Sequence, residues 1–151
     1  VDAGAIFGVI DNGGDIALFT DREIRIGIHA GASPPSDRFA FLLSPGTGIR
    51  GVCTSSATVG PSVSLGVADS VTVFSENPAS ADAWATAVGN ALSADHPEVL
   101  RRLEGSDVTG VVAILGGEMV RWGNPPPLAP ARVNPDIITR GKDPSRVQSS
   151  R

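Results

Sequence analysis

Asp82 and Thr86 stand four residues apart in an alanine-rich stretch, and on a helix that spacing puts a carboxylate and a hydroxyl on one face, about a turn apart. A hard cation such as Mg2+ prefers oxygen ligands and keeps several waters, so this pair would supply a share of its shell. An Asp in the first helical turn also stabilises the helix dipole, and that plainer role stands beside the metal reading. Thr54, Ser55 and Ser56 form a hydroxyl cluster in a glycine-bounded segment, suited to phosphate oxygens or to neutral metal ligation. A turn capped by its own side chains would use the same residues. In Asn12-Gly13-Gly14-Asp15 the glycines let a ligand approach the backbone, and Asp15 could bind a cation or a ligand hydroxyl. A hairpin turn calls for the same residue types.

Other reactive side chains read as structural. A nucleophilic serine needs a base within hydrogen-bond reach, and nothing in the sequence brings either histidine, His29 or His96, to the hydroxyl cluster. Both histidines read as surface or capping groups. Cys53 reads as a small buried apolar residue, Trp84 as packing, and Arg101-Arg102 as a solvated helix face. A single cysteine excludes an intrachain disulfide framework and a cysteine-based zinc site.

The elements that must position these groups follow from period and turn chemistry. Ile6–Ile10 and Ile16–Phe19 read as strands joined by the glycine turn. Ile24, Ile26 and Ile28 alternate with Arg25 and Gly27, the period of a half-buried strand. Phe39–Leu43 is a further strand, Gly51–Gly66 an ordered loop flanked by strand ends, and Val71–Phe74 a β-branched strand. Asn77 as cap and Pro78 in the first turn open a helix over Ala79–Leu92, with Trp84, Val88 and Leu92 spaced by four. A shorter helix over Pro97–Leu103, capped by Asp95, precedes a hairpin of Val108–Leu115 and Glu118–Trp122 turned at Gly116-Gly117. The proline-rich stretch after Trp122 carries too much Pro to pack as a regular element, and the polar end reads as a flexible tail.

With 151 residues, the chain is one domain over 1–140 followed by the tail, 141–151. Runs of strands with a helical pair, rather than alternating βαβ units, predict an α+β fold: a layered, antiparallel-rich sheet with helices packed on it. Sixteen acidic residues against twelve basic, with Lys142 the single lysine, leave no basic field for nucleic acid. No run approaches the roughly 20 apolar residues that cross a bilayer, so a cytoplasmic protein without membrane association is expected. The chain opens without Met, almost directly into an apolar run, and reads as a fragment lacking its N-terminal part.

Taken in order, the strings Asp11-Asn12-Gly13-Gly14-Asp15-Ile16, Gly51 to Gly60, Ala68-Asp69-Ser70-Val71-Thr72-Val73 and Ala81-Asp82-Ala83-Trp84-Ala85-Thr86-Ala87 resemble the UPF0280 (DUF375) family. Trp122-Gly123 and Ile137-Ile138-Thr139-Arg140-Gly141 look like that family's ending. The family is similar, more distantly, to the ApbE group of FAD-dependent FMN transferases, in which a helix Asp and Thr bind a Mg2+ on the flavin pyrophosphate. The resemblance therefore implies an ApbE-like fold with Asp82 and Thr86 as Mg2+ ligands. It places Asn12, Gly13, Gly14 and Asp15 beside FAD, FMN or a related small phosphate-bearing ligand, and has Thr54, Ser55 and Ser56 line the same cleft. The metal would orient a phosphoryl bond for transfer or hydrolysis. The transferases' His-x-x-Asp-Pro-x-x-Gly segment has no counterpart in Val59-Gly60-Pro61-Ser62-Val63-Ser64. That departure supports an alternative: a non-catalytic binding or assembly module that keeps the cleft and docks a partner or its own copy, as a homo-oligomer, through sheet edges and the Pro-rich end.

Overall fold

The computed structural model describes residues 4–56 and 68–134. Among the described residues, nine strands and one α-helix form an α+β fold in three layers. The central layer is a six-stranded antiparallel sheet ordered β1 (Gly8–Asp11), β2 (Asp15–Thr20), β5 (Gly46–Ser55), β6 (Ser70–Ser75), β7 (Val108–Leu115) and β8 (Glu118–Gly123). A smaller sheet of β3 (Ile24–Gly27), β4 (Phe39–Leu43) and β9 (Leu128–Pro130) lies against one face, and α1 (Pro78–Ala91) against the other.

Local chemistry accounts for the turns. Gly13 and Gly14 take φ of 72° and 107°, conformations that side-chain-bearing residues rarely adopt. The Gly14 amide donates to Asp11 Oδ1 at 2.9 Å, closing the β1–β2 connection. In α1, the Asn77 side chain accepts from the Ala79 and Ser80 amides with Pro78 in the first turn, as the capping pattern predicts. The buried stripe is Ala81, Ala85, Val88 and Gly89, with Leu92 at the C-cap, and Trp84 packs at its margin.

Three expectations differ from the structure. Gly51–Gly66 is not a loop throughout: Gly46–Ser55 is a ten-residue strand at the middle of the sheet, and 57–67 lie outside the described residues. Gly51 and Cys53 are buried under α1 while Val52 is buried against the small sheet. Over Gly51–Cys53 both faces are covered, so no polar alternation marks that part of the strand. The shorter helix forms over Pro97–Leu103 as expected, in 3₁₀ geometry, and buries Val99, Leu100 and Leu103. Its N-cap is His96, not Asp95, and the His96 side chain makes no cap bond. The Pro-rich stretch does contribute structure, because Leu128–Pro130 pairs with β4 at a sheet edge, where proline's missing donor is tolerated. The 141–151 tail and Ile137–Gly141 lie outside the described residues. Among the described residues no helix is long and apolar enough to cross a membrane.

Candidate functional site

The two sheets enclose a cavity of about 420 Å3, within the size range of small-molecule sites. Its apolar part comes from the alternating faces of β2, β3 and β4, with Ile16, Leu18, Ile26 and Phe41 pointing inward. Its polar part is the Gly13-Gly14 turn, Thr54, Ser56 and Thr72, with Arg25 and His29 on the facing wall. The Thr54 and Thr72 hydroxyls are 2.9 Å apart across the β5–β6 ladder. Ser56 Oγ donates to the Asp69 carbonyl at 2.6 Å, so its hydroxyl is directed toward backbone. The turn is tied to this wall by the Thr54 amide, which donates to the Gly14 carbonyl at 3.1 Å.

The carboxylates sit elsewhere. Successive residues of a strand face opposite sides of a sheet, so Asp15 is turned away from Ile16 and the cavity, toward Cys53 and α1. Burial pushes the Asp15 carboxyl above the ordinary carboxylate range, and the Asp82 and Asp11 carboxylates push it further. The Cys53 side chain and the Thr54 backbone oppose that rise by hydrogen bonding. Burial, with the same Asp15 and Asp82 charges, raises the Cys53 thiol to about 12, which leaves it a neutral thiol that donates to the Pro78 carbonyl at 3.6 Å. Cys53 is thus the buried, inert residue its type suggested.

The sequence candidates therefore divide into two groups. Gly13, Gly14, Thr54 and Ser56 line the cavity. Asp15 and Asp82 face one another electrostatically on the helix side, with Asp82 and Thr86 exposed one turn apart on α1. Ser55, following Cys53 and Thr54 in alternation, shares the Cys53 side of β5. Asn12 is exposed at the tip of the turn, its amide donating to the Asp15 carbonyl. The hinge between the groups is the Asp11–Asp15 turn, which borders the cavity through Gly13-Gly14 and carries Asp15 on its other side. His29 and Arg25 are the cavity residues that sequence reasoning set aside or treated only as strand pattern. The alternation of Ile24, Ile26 and Ile28 did mark the wall that carries them.

Among the described residues no three His, Cys, Asp or Glu side chains converge as a metal cage. The available oxygen donors, two carboxylates and a hydroxyl, are of the kind Mg2+ takes when waters and ligand phosphates complete its shell.

The family model described as AbpE bacteria matches residues 7–119, three-quarters of the chain. The chain is similar to the UPF0280 protein of Methanoculleus marisnigri, 60% identical over 141 residues, covering 93% of this chain and 58% of that protein. It is similar to the UPF0280 protein of Methanosphaerula palustris, 59% identical over 140 residues, 93% of this chain and 59% of that one. The UPF0280 protein of Methanosarcina acetivorans is 40% identical over 146 residues, 93% of this chain and 56% of that one. The chain thus spans less than two thirds of the length of these curated relatives.

Proposed function

The chain belongs to the family described as AbpE bacteria, and from that premise we propose that it binds a small phosphate-bearing cofactor, FAD or FMN first among them, together with Mg2+. The observation that carries this reading is the juxtaposition of Asp15 and Asp82: the Asp82 charge helps to push the Asp15 carboxyl up, and among the described residues neither is paired with a Lys or Arg. A divalent cation removes that repulsion. Asp82 and Thr86, with Asp15 alongside, would hold it. When bound, Mg2+ would neutralise phosphate charge and orient a phosphoryl bond, the chemistry of a transferase or hydrolase. The Gly13-Gly14 backbone admits a ligand closely, and Thr54 offers a hydroxyl to phosphate oxygens. The apolar part of the cavity is suited to a flat ring. Nucleotide cofactors and a lone free thiol both fit a cytoplasmic setting.

Calorimetric titration with FAD and with FMN, with and without Mg2+, tests the reading. Affinity is expected to rise with Mg2+ in the parent chain and to lose that dependence in Asp82→Ala. Equal affinity in parent and variant would remove the metal site.

One observation favours a second reading, the non-catalytic assembly module. β1 is an edge strand of the large sheet, yet Ile6 and Ile10 are 64% and 72% exposed, with Phe7 and Val9 also open. Edge strands of this apolar kind pair readily with another chain. Light scattering on the eluted protein decides: a monomer that turns over a flavin nucleotide leaves this reading without support.

A further inference from the structure

Beyond Val52, at the other end of β5 and β6, a second cavity of about 280 Å3 opens between the sheet and the segment that follows β8. One wall is Pro125-Pro126-Pro127, held from both ends. The Asn124 amide donates to the Thr109 carbonyl at 2.8 Å, and the Leu42 amide donates to the Pro127 carbonyl at 2.8 Å. A Cβ on Gly110 would lie 2.4 Å from the Pro125 nitrogen, so the segment sits directly on β7. Proline's fixed φ stiffens what these contacts pin. The wall is therefore preorganised for a ligand.

The charged residues of this cavity are Arg50 and Glu76. Arg50 shares the Val52 side of β5 by alternation, and its guanidinium lies over Gly46, where a Cβ would be 3.5 Å from Arg50 Cζ. Its Nη2 donates to the Ser44 carbonyl at 2.8 Å. Its Nε is buried and has no hydrogen-bond partner, the one such side-chain atom among the described residues. A buried N–H without an acceptor is costly. Glu76 is exposed, and among the described residues Arg50 forms an ion pair neither with it nor with any other carboxylate. Two opposite charges thus share one small cavity without neutralising each other.

We propose that this second cavity binds a free α-amino acid with an apolar side chain, its carboxylate on Arg50 and its ammonium toward Glu76. A carboxylate accepts two parallel hydrogen bonds from a guanidinium and supplies the acceptor that Nε lacks. A plain carboxylate would leave the Glu76 charge unopposed, and a plain amine would leave Nε orphaned; a zwitterion answers both. Leu42, Phe74 and the proline wall offer apolar surface to the side chain. The volume lies just under the range of drug-sized sites, in keeping with a ligand this small. None of the residues assigned to flavin and Mg2+ lines this cavity, so the two proposals stand or fall separately.

Titration of the full chain with L-leucine, followed by amide NMR, is expected to give saturable shifts at Gly51, Phe74 and Ser75 rather than at Gly13 and Gly14. Leucinamide, which lacks the carboxylate, and 4-methylpentanoate, which lacks the ammonium, are each expected to bind at least about tenfold more weakly. Arg50→Gln is expected to weaken leucine binding about ten- to a hundredfold, the usual weight of hydrogen bonds to a charged group. Glu76→Gln is expected to erase the preference for leucine over 4-methylpentanoate, a change of selectivity that a folding defect does not produce. Absence of saturable leucine shifts, parent-like leucine binding by Arg50→Gln, or equal affinity of the parent for leucine and 4-methylpentanoate would each overturn the proposal. Tighter binding of N-acetyl-leucine than of leucine would overturn it too, giving the site to the C-terminal carboxylate of a peptide.

Discussion

The two faces of the six-stranded sheet are packed on different principles. On the α1 face the contact residues are small. Gly51 has no side chain, and a Cβ there would lie 2.5 Å from Pro78 Cα and 2.9 Å from Ala81 Cβ. Ala81, Ala85 and Val88 then close onto Cys53, Val71, Val73 and Val111 in a continuous core. On the other face, large side chains must bridge two sheets, which pack about 10 Å apart. Phe41 and Phe74 do so edge to face with centroids 4.8 Å apart, beside Leu43 and Val112. Further along β5 and β6 the inward residues change to Thr54 and Thr72, and the neighbouring turn is Gly13-Gly14. Those residues are too small and too polar to fill the space, so the cavity opens there. A helix on small residues makes a closed core; a sheet on a sheet that runs out of large side chains leaves a cavity.

The sharpest test of this contrast truncates one side chain on each face. Leu103, 1% exposed on the helix side, is expected to cost about 2–5 kcal/mol as Leu103→Ala, because a closed core keeps the cavity it is given. Ile26→Ala, at the half-buried cavity wall, is expected to cost about 1 kcal/mol, since only part of its transfer energy is at stake. Denaturant midpoints measure both, and equal costs would break the comparison. Next in size is Gly51→Ala, which wedges a methyl between β5 and α1 and is expected to cost about 1–3 kcal/mol. A melting temperature unchanged by that substitution would show that α1 has room to move.

The smallest effect concerns pH. The Asp15 carboxyl is raised, so folding favours its protonated form. The stability this gives is complete below the ordinary value of 3.8 and is lost as pH rises through the raised folded value. Asp15→Asn removes the loss, so the variant should melt above the parent at pH 7 and level with it near pH 3. Mg2+ should raise the melting temperature of the parent at pH 7 more than that of Asp15→Asn. Parallel pH curves for the two proteins would dissociate Asp15 from the Asp82 charge.

Much of the frame was legible because its causes are short-range. Asn12-Gly13-Gly14 and Gly116-Gly117 specify turns by the φ angles only glycine takes easily, and both glycine pairs adopt positive φ. Asn77-Pro78 specifies a helix start, and the cap bonds form as its side chain predicts. Ile24, Ile26 and Ile28 specify one apolar side of a strand. The ten-residue β5 was partly hidden, since its Gly51–Cys53 stretch is covered on both faces and has no polar side to set its period. Leu128–Pro130 was hidden for another reason: its three residues have little strand propensity and are ordered by pairing with β4.

The amino-acid sequence by itself determined the hydroxyl cluster, the glycine turn, the Asp82–Thr86 spacing and the elements bearing them, because each depends on residues within a turn or two of one another. Only the tertiary structure decided that Asp15 and Asp82 share the helix side while Gly13, Gly14, Thr54 and Ser56 share the cavity. It also brought His29 to Asp37. The physical reason is register. A strand's alternation says that neighbours part company, but which side each neighbour meets is settled by the layers packed above and below the sheet.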